Sequence, residues 1–259
     1  MIYVAFLFFT LLILYIAFYQ WQYFMIFTPT LHREGTLDGS FEILSITTPD
    51  GVELEGVVYK PSQTQEDKLQ TLLFFAGRSH DSVALIKKLS ENFPQHRVIT
   101  FNYRSYGESG GVVSEKNLYK DALKVSEVVE KNYGEFSLLG FSLGASIATF
   151  IVSKRRVKAL FLVGIFDSIA LISKEKYGIN LSWILRYKFD NIAMIKNVET
   201  PCYIFASCDD EITYIKNVRN FKKYVKNLAT YMELEGLTHK ELLWSDKVIK
   251  KINGVIDEA

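Results

Sequence analysis

LLGFSLGASIA, residues 138–148, places one serine between two glycines inside an otherwise apolar run. The five residues before Ser142 are apolar or small, as a strand buried on both faces requires. The residues after it are small and helix-compatible. Two readings are open for Gly140-Phe141-Ser142-Leu143-Gly144. The glycines let a helix pack closely on a strand, or they permit a sharp strand-to-helix turn that holds the serine hydroxyl exposed above a sheet. The flanking segments decide between them.

Downstream of residue 40 the chain alternates in period. FEILSITT (41–48) and VELEGVVY (52–59) flank Pro49-Asp50-Gly51 and read as a hairpin. After a polar loop over 61–70, TLLFFAG (71–77) and RVITFNY (97–103) are short continuous apolar runs, the pattern of buried parallel strands. EFSLLGF (135–141), KALFLVGIF (158–166), CYIFAS (202–207) and ATYMEL (229–234) continue the series. Helical spacing separates the strands, over Ser82–Asn92, Leu118–Lys131, 143–155, Ile215–Lys226 and about 240–252. Residues 167–197 are mixed. The fold class that follows is α/β: a mostly parallel, doubly wound sheet with an N-terminal hairpin and a small cap. Such a sheet collects functional loops at the carboxyl ends of its strands.

Residues 1–31 contain no Asp, Glu, Lys, Arg or His. Met1 to Tyr19 is apolar on all sides, and Tyr19, Trp21 and Tyr23 close the run with rings that favour a headgroup layer. The length suits a bilayer core of about 20 residues. The run lacks the basic start and small-residue cleavage site of a signal peptide, so an uncleaved single-pass helix is expected. Its orientation is undetermined, because Arg33 is balanced by Glu34 and Asp38.

The 259 residues carry a net charge of +1. No basic run alternates with aromatics, so nucleic acid is not an expected partner. Cys202 and Cys208 read as two thiols at one end of a strand, with neither disulfide nor zinc spacing.

A serine hydroxyl is a weak nucleophile without a base. Of the four histidines, His32 adjoins the membrane segment, His96 precedes a strand and falls at the far end of the sheet, and His80 follows the Gly77 loop and stays possible. His239, after the last strand, fits the order Ser…Asp…His. The acid that orients it should follow an intervening strand. Asp210 is favoured, Asp209 is the close second, and Asp167 is a third candidate. Backbone amides of Arg78 and Leu143 would converge on the oxyanion.

Five motifs taken in order resemble the α/β-hydrolase superfamily, and more narrowly its single-pass, membrane-anchored serine hydrolases. They are FFAGR, FNYRSYGESGG with SEKNLYKDA, LLGFSLGAS, PCYIFASCDDEIT and GLTHKEL. The resemblance spans residues 41–252. It implies a transmembrane helix over 1–27, a connector over 28–40 and a hydrolase domain over 41–259. It further implies hydrolysis of an ester, thioester or amide through an acyl-enzyme, with no metal and no organic cofactor. The substrate would be a small or acylated, lipid-like molecule reached from the membrane. A catalytically silent scaffold that binds a partner at the membrane, or a peptidase with the same triad, are the alternatives. The oxyanion strand departs from the common His-Gly-Asn ending and reads Ala76-Gly77-Arg78, which places a cation at the mouth of the site. The short 167–197 insert predicts a rather open site.

Overall fold

The computed structural model describes residues 1–31, 37, 39–62, 69–179 and 181–258. His32, Arg33, Glu34 and Asp38 of the connector lie outside the described residues. Eight strands form one sheet in the order β1-β2-β4-β3-β5-β6-β7-β8. They are β1 (Phe41–Thr47), β2 (Glu53–Tyr59), β3 (Thr71–Phe75), β4 (Arg97–Phe101), β5 (Phe136–Phe141), β6 (Leu160–Val163), β7 (Cys202–Ser207) and β8 (Leu228–Leu234). The hairpin β1–β2 is antiparallel within itself and against β4, and every other pairing is parallel. The continuous apolar runs at β3, β4 and β5 are buried on both faces, which is why they lack alternation.

Helices cover the two faces and divide the core. Under one face lie α3 (Glu115–Tyr133), α4 (Leu143–Val152), the cap helices α5 (Ile169–Tyr177) and α6 (Asn191–Ile195), and α7 (Ile215–Lys222). Under the other lie α2 (Ile86–Asn92), α8 (His239–Leu243) and α9 (Asp246–Asp257). The expected helix over 82–92 starts late. Asp81 Oδ1 accepts from the amides of Val83 and Ala84, and the Ser82 amide donates to Asn102 Oδ1, so side chains satisfy backbone groups that a helix would otherwise use. The expected terminal helix is two, split where Ser245 leaves the helical region and caps α9. Cys202 opens β7 and Cys208 follows its last residue, so the thiols stand at opposite ends of that strand rather than at one.

Helix α1 (Ile2–Ile26) is long and apolar enough to cross a membrane, and its first four turns are exposed. Its last two turns are not free. Gln22 is buried, with Nε2 donating to the carbonyl of Ile184 at 3.1 Å and Oε1 accepting from the amide of Arg186 at 2.7 Å. Phe27, just past the helix, is buried edge-on against Tyr187 at 4.8 Å. The connector continues this attachment, since the amides of Thr28 and Gly107 donate to Arg78 O and Thr30 O respectively.

The second sequence motif is held by one guanidinium. Arg104 is buried and forks twice, donating Nε and Nη2 to Asp121 and Nη1 and Nη2 to Asp50, all at 2.7 Å. Asp121 is buried on α3, whereas the Asp50 side chain in the β1–β2 turn is 60% exposed. Removing a buried partner strands the cation, and removing an exposed one admits water. Asp121→Ala is therefore expected to destabilise the detergent-solubilised protein by about 3 kcal/mol, and Asp50→Ala by clearly less. Chemical denaturation of the two variants side by side checks the order.

Candidate active site

The stretch from β5 into α4 makes the turn that its glycines allow. Ser142 has φ 55° and ψ −117°, a backbone conformation that a side chain disfavours and that packing must enforce. The enforcement comes from close approach on both sides. A Cβ on Gly144 would stand 2.0 Å from the carbonyl oxygen of Phe75, and one on Gly140 would stand 2.5 Å from Cα of Ala145. The glycines thus serve both early readings at once, because the tight helix–strand contact is what produces the elbow. The Ser142 amide donates to Val163 O at 2.9 Å, which ties the turn to the end of β6. Leu143 is the first residue of α4, where amides have no acceptor within the helix and the helix dipole is positive.

Asp210 and His239 meet across the ends of β7 and β8. The amide of Cys208 donates to Leu234 O at 2.8 Å, and Gly236 N donates to Asp209 Oδ2 at 2.7 Å, so the two loops are stitched together. Asp210 then turns inward. Its Oδ1 accepts from the amides of Ile212 and Thr213, and its Oδ2 accepts from Thr213 Oγ1 and from His239 Nδ1, the last two at 2.7 Å. Both Asp210 and His239 are buried. Burial pushes the Asp210 carboxyl up, but the hydrogen bond and charge of His239 and the two Thr213 donors outweigh it, so the carboxyl lies below its ordinary value. With Nδ1 donating to Asp210, Nε2 is left as the acceptor of His239.

The imidazole sits against the elbow. Its ring lies 4.9 Å from the ring of Phe141, the residue before Ser142, and a Cβ on Gly164 would stand 3.0 Å from its Cε1. The amide of His239 donates to Glu211 at 3.1 Å. Ser142, Leu143, Arg78, Glu211 and Thr213 line one cavity of about 210 Å³.

The other candidates are elsewhere. Asp209 is exposed and closes the β8 loop. Asp167 accepts from the side-chain amides of Asn217 and Asn220 at 2.9 Å and from Ser168 N, which fixes the cap to α7, and burial raises its carboxyl. His80 is edge-on to the far ring contact of Phe141 at 5.9 Å, and burial holds its imidazole below the ordinary value. His96 is at the opposite end, 3.5 Å from Asp257. Sequence reasoning missed Thr213 and Gly164. Thr213 was visible as the hydroxyl three residues after Asp210, the spacing of a side chain that folds back on an aspartate.

The Arg78 side chain does more than border the site. It donates to the carbonyl of Met25 at the C-terminal end of α1, while the Arg78 carbonyl accepts from Thr28 N at 3.3 Å and from Tyr106 Oη at 2.5 Å. A cation there suits the negative end of a helix. The site is also less open than a short insert suggests. The cavity is walled by the cap and by the last two turns of α1, including Trp21, Gln22 and Met25.

The chain has the α/β-hydrolase fold. An esterase from Pyrococcus furiosus superposes with a TM-score of 0.68 over 89% of this chain and 98% of that one, at 14% identity. Among curated proteins, an uncharacterised protein of Acanthamoeba polyphaga mimivirus is 28% identical over 205 residues, 70% of this chain and 68% of its own length. A lysophosphatidylserine lipase of Macaca fascicularis is 28% identical over 138 residues, 45% of this chain and 35% of the lipase. The chain therefore matches about a third of that lipase's length. No family model matches the chain.

The depressed Asp210 carboxyl carries a consequence for stability. Its contribution is present in full above the unfolded Asp value of about 3.9 and is lost as pH falls through the folded value. Thr213→Val removes one lowering donor and keeps the backbone one, so the folded value rises, the contribution shrinks and its loss is complete at a higher pH. An acid-unfolding titration should show the midpoint moved up relative to wild type.

Proposed function

We propose that this chain is a membrane-anchored serine hydrolase that cleaves an acyl ester or thioester through an acyl-enzyme. The observation that carries the reading is the strained Ser142 elbow standing against a buried, hydrogen-bonded Asp210–His239 pair. Packing of a sheet and helix gives no reason for these three side chains to converge. The esterase and lipase among the similar proteins accord with it.

In this reading Ser142 Oγ attacks the acyl carbon as His239 Nε2 takes its proton. Asp210 holds the imidazole in the tautomer with Nδ1 protonated and stabilises the imidazolium that forms. The amides of Arg78 and Leu143 receive the negative charge that develops on the carbonyl oxygen, and the N-terminus of α4 adds its dipole. His239 then returns the proton to the departing alcohol or thiol. Water repeats the sequence on the acyl-enzyme, with His239 again as base, and frees the acid. Glu211 and Thr213 position the imidazole and its partner rather than touching substrate atoms.

Helix α1 serves as an anchor that stays in place. A cleaved leader has no need of a buried glutamine satisfied on both amide atoms, nor of an arginine on its final carbonyls. At 1.5 Å per residue its 25 residues reach about 37 Å, against a hydrocarbon core of about 30 Å. About five residues, Gln22–Ile26, thus stand beyond the core and carry the domain at the headgroup level.

A fluorophosphonate probe is expected to label the wild-type protein and not Ser142→Ala. Equal labelling of both overturns the assignment. On a p-nitrophenyl ester, Asp210→Asn should lower kcat by about 10⁴-fold, whereas Asp209→Asn should keep most of the turnover. A larger loss for Asp209→Asn reverses the order of the two acids.

A further inference from the structure

The cavity beside Ser142 is built from three pieces of chain, one of which is the membrane helix. Phe18, Trp21, Gln22, Met25 and Ile26 of α1 all face it. Their spacing, i, i+3, i+4, i+7 and i+8, is one face of a helix. The cap supplies Ile169 and Ile172 from α5, and Leu181 and Leu185 from the segment that follows. The lining is mostly apolar, and the charged lining residues are Arg78, Lys176 and Glu211.

The helix is fixed against this cavity rather than lying across it by chance. Gln22 is only 4% exposed, and both atoms of its amide are bonded to cap backbone on either side of the cavity-lining Leu185. A buried amide is costly unless each donor and acceptor is met, so the geometry is specific to this one seating. Arg78 links the same helix end to the loop that carries the expected oxyanion amide. The departure from the common oxyanion-strand ending thus has a structural reason: a cation at this position joins the loop to the helix.

Depth points to what enters. On the anchoring proposed above, the wall residues from Gln22 onward stand at the level of lipid headgroups. The cap edge beside them exposes Trp183 at 82%, Ile179 at 61% and Tyr177 at 49%, with Lys174 and Lys176 on the same short stretch. Large apolar side chains exposed this fully and fringed by lysines suit an anionic membrane interface. A cavity of about 210 Å³ with a mostly apolar lining suits one acyl chain of medium length.

We propose that the last two turns of α1 are part of the substrate site, forming with the cap the wall that holds the acyl tail of a single-chain amphiphile drawn from the bilayer. The placement of its scissile bond at Ser142 and its entry from the bilayer rest on the reading of the preceding subsection, and the apolar wall that α1 and the cap form does not. The transmembrane helix then sets chain-length selectivity, and the lipid enters from the membrane side while its headgroup stays in water.

The test uses the full chain in nanodiscs and p-nitrophenyl esters of increasing length. For wild type, kcat/KM is expected to rise about three- to four-fold per methylene, the worth of one buried CH₂, and to level off near eight carbons. Met25→Trp narrows the wall, so the ratio of octanoyl to butyryl kcat/KM should fall by about tenfold. Phe18→Ala should move the plateau to longer chains. Ile13→Trp, on the exposed part of the same helix, should leave the ratio as in wild type. Unchanged ratios in both Met25→Trp and Phe18→Ala, in protein that turns esters over, overturn the proposal. A measurement independent of turnover uses the Ser142→Ala chain and a monoacyl phospholipid with a diazirine tail. Photo-adducts on Met25 and Ile172 that unlabelled monoacyl lipid displaces, and diacyl lipid does not, support the tail site even if the wild type hydrolyses nothing. In that event the hydrolase reading fails and the tail site stands. Adducts confined to the exposed turns of α1 and not displaced count against it.

Discussion

The contact between α4 and the strands beneath it is the constraint on which the rest of the site depends. Gly144 lies so close to β3 that a methyl group would overlap the Phe75 carbonyl, and Gly140 lies as close to Ala145. This approach turns the chain sharply at Ser142 and forces its φ positive. Everything else is placed relative to that turn. The Ser142 amide reaches β6, Phe141 backs the imidazole of His239, and Leu143, which lines the cavity, begins the helix.

Around this centre, polar groups hold the loops that must not drift. Arg104 joins the β1–β2 turn to α3, Asp167 joins the cap to α7, and Asp209 and Ser207 join the loops after β7 and β8. In the sequence Asp167 and Asp209 stood as candidate acids and Ser207 as the end of a strand. In the fold they are buried or bridging groups whose partners lie far along the chain. Asp50 and Arg104, for example, are 54 residues apart. The hydrogen bonds of these groups give the loops definite positions, and the geometry of Asp210 against His239 follows from them.

The elbow was legible because its signal is local: two glycines at fixed spacing between an apolar strand and a small-residue helix. His239 was legible as the partner of Asp210 because sheet order leaves one histidine after the last strand. The neighbouring aspartates were not separable with certainty from sequence, since one residue along a turn reverses which carboxyl faces inward. Only the stitching of the Cys208–Asp210 loop to β8 directs Asp210 to the imidazole and Asp209 to Gly236. The late start of α2 had a readable sign in Asp81, whose side chain competes with the helix for backbone amides.

By itself the sequence determined the parallel sheet, the strand-to-helix serine, the histidine and the presence of one long apolar helix. These depend on period, turn chemistry and composition, which are properties of short windows of chain. It did not determine where that helix docks. A helix apolar on every side has no preferred face in sequence, so its rotation and docking were undefined. Tertiary structure decided them through Gln22 on the Ile184–Arg186 backbone and Arg78 on the last carbonyls of the helix, contacts spanning 53 to 164 residues. The short cap therefore does not leave the site as open as its length implied, because the last turns of α1 supply the missing wall.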